Sequence, residues 1–390
     1  MKMKRMLGLF LVLCLTVASF AACGTKEDTG AHKSGDKFYI GAIGPLTGGA
    51  AVYGQHVKYG AEIAVKEINE AGGINGKQIE LRYEDDEHDP EKSVNAYNNL
   101  KDWGMQILMG AVTSGPSVAV AEETKNDNMF QLTPSGSAPA VIQYDNAFQV
   151  CFTDPNQGAA SAKYISDQNL ASKVAVIYDG SDVYSSGIYE KFIEEAANTN
   201  LEIVAAEAFT ADSKSDFSVQ LQKAKDGGAE LVFLPIYYQE ATLILTQANG
   251  MGFDPIFFGC DGLDGILGVE NFDPALAEDV MLLTPFAADA PDQKTQDFVD
   301  KFKELSGGDI PNQFGADAYD AIYIIKAAIE KAGVTPDMSI SEIGDALKVA
   351  MTEITYDGLT GAGMTWAATG EVNKEPRAVI IKDGVYTLFE

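Results

Sequence analysis

From Lys37 onward, short runs rich in β-branched and aromatic residues alternate with longer stretches whose apolar positions recur at helical spacing. Such alternation predicts a parallel sheet covered by helices on both faces. A strand over 38–43 is followed by a helix over 54–70, where Val57, Ala61, Ala64, Val65 and Ile68 share one face before Gly72 and Gly73 end it. The series continues with strands over 78–83, 106–110 and 129–132 and helices over 90–103 and 116–126, which make one lobe. A second series carries helices over 158–167, 184–198, 217–225 and 240–249 and strands over 173–178, 202–209, 231–235 and 255–258. Helices over 295–305, 316–331 and 341–352 follow and are assigned back to the first lobe; short strands over 378–382 and 385–389 close the chain. The expected class is α/β, with two doubly wound parallel-sheet lobes.

Length agrees with this division, because 390 residues exceed the roughly 100–200 of a single domain. With 46% hydrophobic and 22% charged residues the chain is too apolar to be disordered. A net charge of −29 opposes a phosphate backbone, so nucleic acid is excluded as a partner. Lys2, Lys4 and Arg5, an apolar run over 6–20 and the small pair Ala21-Ala22 read as a secretory signal over 1–22, which places the mature chain outside the cytoplasm. The apolar run is shorter than the roughly 20 residues of a spanning helix, and no later segment is long enough. Ser19-Phe20-Ala21-Ala22-Cys23 resembles the box of bacterial lipoproteins, with Phe20 at the usual leucine. That resemblance implies a lipidated Cys23 as mature N-terminus and a membrane anchor through a polar tether over 23–36. The alternative is plain signal cleavage that leaves Cys23 as a spare thiol. Cys14 falls in the signal, so the folded part keeps Cys151 and Cys260, which read as two separate buried thiols.

Enzymatic chemistry finds little footing. Gly44-Pro45-Leu46-Thr47-Gly48-Gly49 follows the first strand but lacks dinucleotide-loop spacing, and Gly73 to Lys77 follows a helix, as a turn would. Only three histidines occur, His32, His56 and His88, and no Gly-x-Ser-x-Gly elbow is present. The run Glu84 to Asp89 contains metal-ligand chemistry, but Asp89-Pro90-Glu91 fits a helix cap with an acid in the first turn, on a solvated rim. Neither a catalytic residue, a metal nor a cofactor is expected. Two loops that follow strands are rich in glycine and hydroxyls, Gly110 to Pro116 and Thr133 to Ser137. Capping explains either alone; together they suit a carboxylate on free backbone N–H groups. In the other lobe the corresponding loops are aromatic and acidic, around Tyr178 to Tyr184, Ile236 to Glu240 and Gly259 to Gly262, and Asp261 suits an ammonium group.

The ordered string Ile40-Gly-Ala-Ile-Gly-Pro-Leu-Thr-Gly48, Tyr53-Gly54, Glu67 to Lys77 and Asp86-Glu-His-Asp-Pro90 resembles the type I periplasmic binding proteins, specifically the leucine/isoleucine/valine receptors of ABC importers. The resemblance spans nearly the whole mature chain. It implies a three-segment hinge between lobe 1 (37–152 with 286–364) and lobe 2 (153–285 with 365–390). It also implies a monomer that binds a free α-amino acid, branched-chain first, and delivers it to permease and ATPase subunits at the outer face of a bacterial membrane. Carried over by position, Ser114, Ser135, Gly136 and Ser137 hold the ligand carboxylate. Asp261 stands where the family carries glutamate for the ammonium, one methylene longer. Tyr53, Tyr184, Tyr237 and Phe314 are aromatic walls. Thr113 and His88 stand where close relatives have a disulfide, so that bridge is missing, and Val112 with Thr113 makes the pocket slightly more polar. A sensory receptor of the same fold, or a receptor for amides, short peptides or aromatic acids, remains open at this level.

Overall fold

The computed structural model describes residues 35–389, so the expected signal over 1–22, Cys23 and His32 lie outside the described residues. Five parallel strands, β1 (Lys37–Gly44), β2 (Gln78–Asp85), β3 (Ile107–Met109), β4 (Phe130–Thr133) and β5 (Ala147–Gln149), form a first sheet in the order β2-β1-β3-β4-β5. The helices α1 (Ala51–Glu70), α2 (Pro90–Trp103) and α3 (Ser114–Asp127) are its crossovers. Strands β3, β4 and β5 are buried at every position, as a sheet covered on both faces requires.

The second sheet contains β6 (Lys173–Asp179), β7 (Glu202–Phe209), β8 (Leu231–Leu234), β9 (Ile256–Gly259), β10 (Met281–Thr284), β11 (Arg377–Lys382) and β12 (Val385–Leu388), ordered β12-β11-β10-β9-β8-β6-β7. Strands β6 to β10 are parallel, whereas β11 and β12 add an antiparallel edge. The helix α4 (Asp154–Asp167) leads into β6, and α5 (Val183–Ala196), α6 (Ser218–Asp226) and α7 (Tyr238–Gly250) run between the strands that follow. The remaining helices, α8 (Gln293–Ser306), α9 (Gln313–Ala332) and α10 (Ile340–Met351), return to the first sheet: α9 lies along α1, and α10 packs on β3 and β4. The α1–α9 contact is close enough to demand glycine, since a Cβ on Gly60 would stand 1.9 Å from the Gly315 carbonyl oxygen. The chain thus crosses between the sheets after β5, after β10 and before β11.

Local chemistry sets the element ends. Asp89 caps α2 by accepting from Lys92 N–H at 2.9 Å, with Pro90 in the first turn. Ser339 and Glu342 form a reciprocal capping box on α10. Two strands, β5 and β10, are absent from the sequence expectation; both are short and buried throughout, so they carry no alternation to read.

Candidate functional site

Loops at the carboxyl ends of parallel strands meet helix N-termini, and both sheets turn these ends toward one cleft. Nine of the ten sequence-derived site residues line a single cavity there. Val112 and Gly262 complete the wall.

The first-sheet side is built from the loops after β3 and β4. Ser114 opens α3, and its Oγ accepts from the N–H groups of Ser137 and Ala138, both at 3.2 Å, which leaves its own proton free to donate into the cavity. No side chain caps α3, so the first N–H groups of that helix also face outward unsatisfied by a cap. Ser135 is engaged otherwise: its Oγ donates to Val112 O at 2.7 Å. Gly136 is the one sequence-derived residue outside the wall; its N–H donates to Thr133 Oγ1 at 2.7 Å, and a Cβ there would stand 2.5 Å from Ser117 Oγ. It lets the two loops approach each other.

The second-sheet side is acidic and aromatic. Asp261 is 3% exposed, and its Oδ1 accepts from the Tyr184 hydroxyl at 2.7 Å. Burial pushes its carboxyl up to about 7, against the stabilising bonds from Tyr184 and Gln157. Tyr184 and Tyr237 stack at 4.7 Å with planes 10° apart, and the Tyr237 hydroxyl is buried without a hydrogen-bond partner. The two sides touch. Tyr53 Oη donates to Gly262 O at 2.5 Å and accepts from Tyr238 N–H at 3.2 Å, Tyr238 Oη accepts from Val52 N–H at 3.1 Å, and Phe314 lies 4.4 Å from the Tyr53 ring.

Asp154 was missed by sequence reasoning. It is the first residue of α4, its N–H donates to Ser137 O at 3.0 Å, and both carboxylate oxygens are buried with no hydrogen-bond partner. Burial raises its carboxyl well above the usual range, and the neighbouring charge of Asp261 adds to the rise. An acid ahead of Pro155 was its only signal, and the helix was expected to begin at 158. His88, expected only at the place of a missing disulfide, is half-buried beside Tyr237 and shares a 2.8 Å hydrogen bond with Thr113 Oγ1. Asp85, in the acidic run, binds Leu46 N–H and the Thr47 hydroxyl, and no metal-holding group of acids, histidines and cysteines occurs among the described residues. Cys151 and Cys260 are both buried and unpaired.

Two α/β bodies that meet over one cavity, with hydroxyl and N–H donors on one wall and a carboxylate and tyrosines on the other, define a two-lobed ligand-binding protein. A family profile described as periplasmic binding protein matches residues 37–384, and the chain belongs to that family. It is 31% identical over 347 residues to a Leu/Ile/Val-binding protein homolog of Brucella melitensis, covering 86% of this chain and 88% of the relative. A leucine-, isoleucine-, valine-, threonine- and alanine-binding protein of Pseudomonas aeruginosa is 30% identical, with 85% and 86% covered. Among solved structures, the branched-chain amino acid transporter substrate-binding protein LivJ of Streptococcus pneumoniae, in complex with isoleucine, superposes with a TM-score of 0.81 at 28% identity, covering 90% of this chain and 98% of that one. These relatives are substrate-binding proteins, not enzymes. No described helix is long and apolar enough to cross a membrane.

Proposed function

We propose that this protein is the extracytoplasmic receptor of an ABC importer, tethered by a lipid on Cys23, that captures a free branched-chain α-amino acid and hands it to its permease as a monomer. The carrying observation is the polarity of the cleft: the Ser114 hydroxyl and the α3 terminus line the same cavity as the Asp261 carboxylate. A zwitterion matches both ends at once, its carboxylate on the donors and its ammonium on Asp261. Val112, Tyr53 and Phe314 offer the apolar surface for an aliphatic side chain. The names of the Brucella, Pseudomonas and Streptococcus relatives support the same ligand class. The two bodies move about the three crossings between the sheets, and closure gives the permease a shape to recognise.

Titration calorimetry with leucine, isoleucine and valine tests the reading; saturable binding is expected, and no heat with any of them overturns it. Replacing Asp261→Ala removes a charge-assisted partner, so binding should weaken by about 1.5–3 kcal/mol, roughly ten- to a hundredfold. Mass spectrometry of the membrane fraction reads the anchor: a diacylglyceryl mass on Cys23 supports it, and a free Cys23 thiol removes it.

A further inference from the structure

Two helices on opposite bodies begin without a cap of their own. Ala50 precedes α1 and Tyr237 precedes α7, where serine, threonine, asparagine or aspartate ordinarily accepts from the first turn, and neither makes a side-chain capping bond. At the start of α1, backbone carbonyls take the N–H groups of Ala51 and Tyr53 at 3.3 and 3.1 Å, which leaves that of Val52 between them. It donates to the Tyr238 hydroxyl at 3.1 Å. At the start of α7, the N–H of Tyr238 itself donates to the Tyr53 hydroxyl at 3.2 Å. Each helix thus supplies, from its own first turn, the hydroxyl that satisfies an orphan donor of the other. The two rings meet edge-on at 4.7 Å and 70°, and both residues are buried, so water does not compete for either bond. Because α1 covers the first sheet and α7 the second, both bonds exist only while the bodies are together.

We propose that this reciprocal tyrosine cap is a latch of the closed receptor, in which Tyr238 is a positioning residue that holds the two bodies over the cargo without touching it. Tyr53 lines the cavity, whereas Tyr238 does not. The two are nevertheless one unit, since the Tyr53 hydroxyl also donates to Gly262 O and so ties the cavity wall to the cap. When the bodies part, both N–H groups and both hydroxyls exchange these partners for water, so the latch contributes the net worth of its hydrogen bonds and stays reversible. Cargo identity does not enter the contact, so the latch lengthens the stay of every ligand by the same factor.

The inference rests on the amino-acid reading above, and one experiment separates the two. Tyr238→Phe keeps the ring and removes only the hydroxyl. Stopped-flow binding of leucine, isoleucine and valine to the full mature variant should show dissociation faster by about two- to tenfold, by one factor for all three, with association unchanged. The melting temperature without ligand should stay where it is, because the parted bodies do not make the bond. Amide hydrogen exchange gives an independent reading: leucine should protect the N–H groups of Val52 and Tyr238 in the unaltered protein, and only that of Tyr238 in the variant. Unchanged dissociation, or a factor that differs among the three ligands, overturns the latch and leaves the amino-acid reading in place. A lower ligand-free melting temperature with unchanged dissociation does the same and assigns Tyr238 to folding. Binding of none of the three to the unaltered protein overturns both.

Discussion

Asp154 and Asp261 show what single residues decide. Asp154 has no hydrogen-bond partner for either oxygen, and burial raises its carboxyl, so the native state holds a proton that the unfolded chain has lost. The sign follows: the penalty is absent below the ordinary carboxylate range, near 4, and grows as pH rises above it. Without added ligand, Asp154→Asn is therefore expected to raise the melting temperature more at pH 8 than at pH 4.5; an equal shift at both pH values would show that no buried charge was removed. Most of the site at this scale was legible, because Ser114, Tyr184, Tyr237 and Asp261 follow strands where such folds bind ligands. The roles of Gly136 and His88 were not. Gly136 answers to a close approach between two loops and His88 to a ring on the other body, and neither relation has a trace in local sequence.

Whole elements were read well in the middle and late at their starts. Helices α1, α3, α4, α7 and α9 begin at Ala51, Ser114, Asp154, Tyr238 and Gln313, whereas periodicity placed them at 54, 116, 158, 240 and 316. The cause is shared: these first turns face the cleft or the neighbouring loops, so their residues are chosen for the site, not for a core stripe, and the 3.6-residue pattern begins a turn later. A second element-scale feature joins segments far apart. Lys374 Nζ donates to Asp317 Oδ1 on α9 at 2.7 Å and to Thr360 Oγ1 at 2.6 Å, and Thr360 donates on to Asp320 Oδ2 at 2.7 Å. The Lys374 and Asp317 side chains are 1% and 2% exposed, so this network fastens the 357–374 segment, just before the last crossing, onto α9. Lys374→Met leaves two buried carboxylates without their cation and should cost about 3–5 kcal/mol in urea unfolding, because breaking a buried pair exposes the full desolvation penalty of its partner. Restoring neutrality with Asp317→Leu in the same chain should recover much of that loss, and a cost below about 1 kcal/mol for Lys374→Met would mean the pair is solvated in solution.

At the scale of the whole molecule, the question is what keeps the cleft from closing without cargo. The apolar cores of the two bodies run together through Tyr53, Tyr238 and Phe314, so closure by itself gains burial. Against that stands Asp261, whose carboxyl sits near about 7 in the closed arrangement because burial strips its water. A raised acid binds more protons when closed, so closure is opposed in full above about 7, and the opposition is relieved as pH falls from about 7 toward the ordinary carboxylate range near 4. His88 pushes the other way: burial lowers it to about 4, so closed protein loses support as pH drops from about 6.5. The effect of Asp261 is therefore isolated at pH 8, where His88 is neutral in either state. A ligand ammonium favours the ionised carboxylate and removes the opposition, which makes the closed population depend on cargo. Small-angle scattering of ligand-free protein at pH 8 should give a larger radius of gyration for the unaltered chain than for Asp261→Asn, and leucine should contract the unaltered chain to the value of the variant. Equal radii for the two ligand-free proteins would show that the Asp261 charge does not hold the cleft open, and closure would then be set by ligand contacts alone.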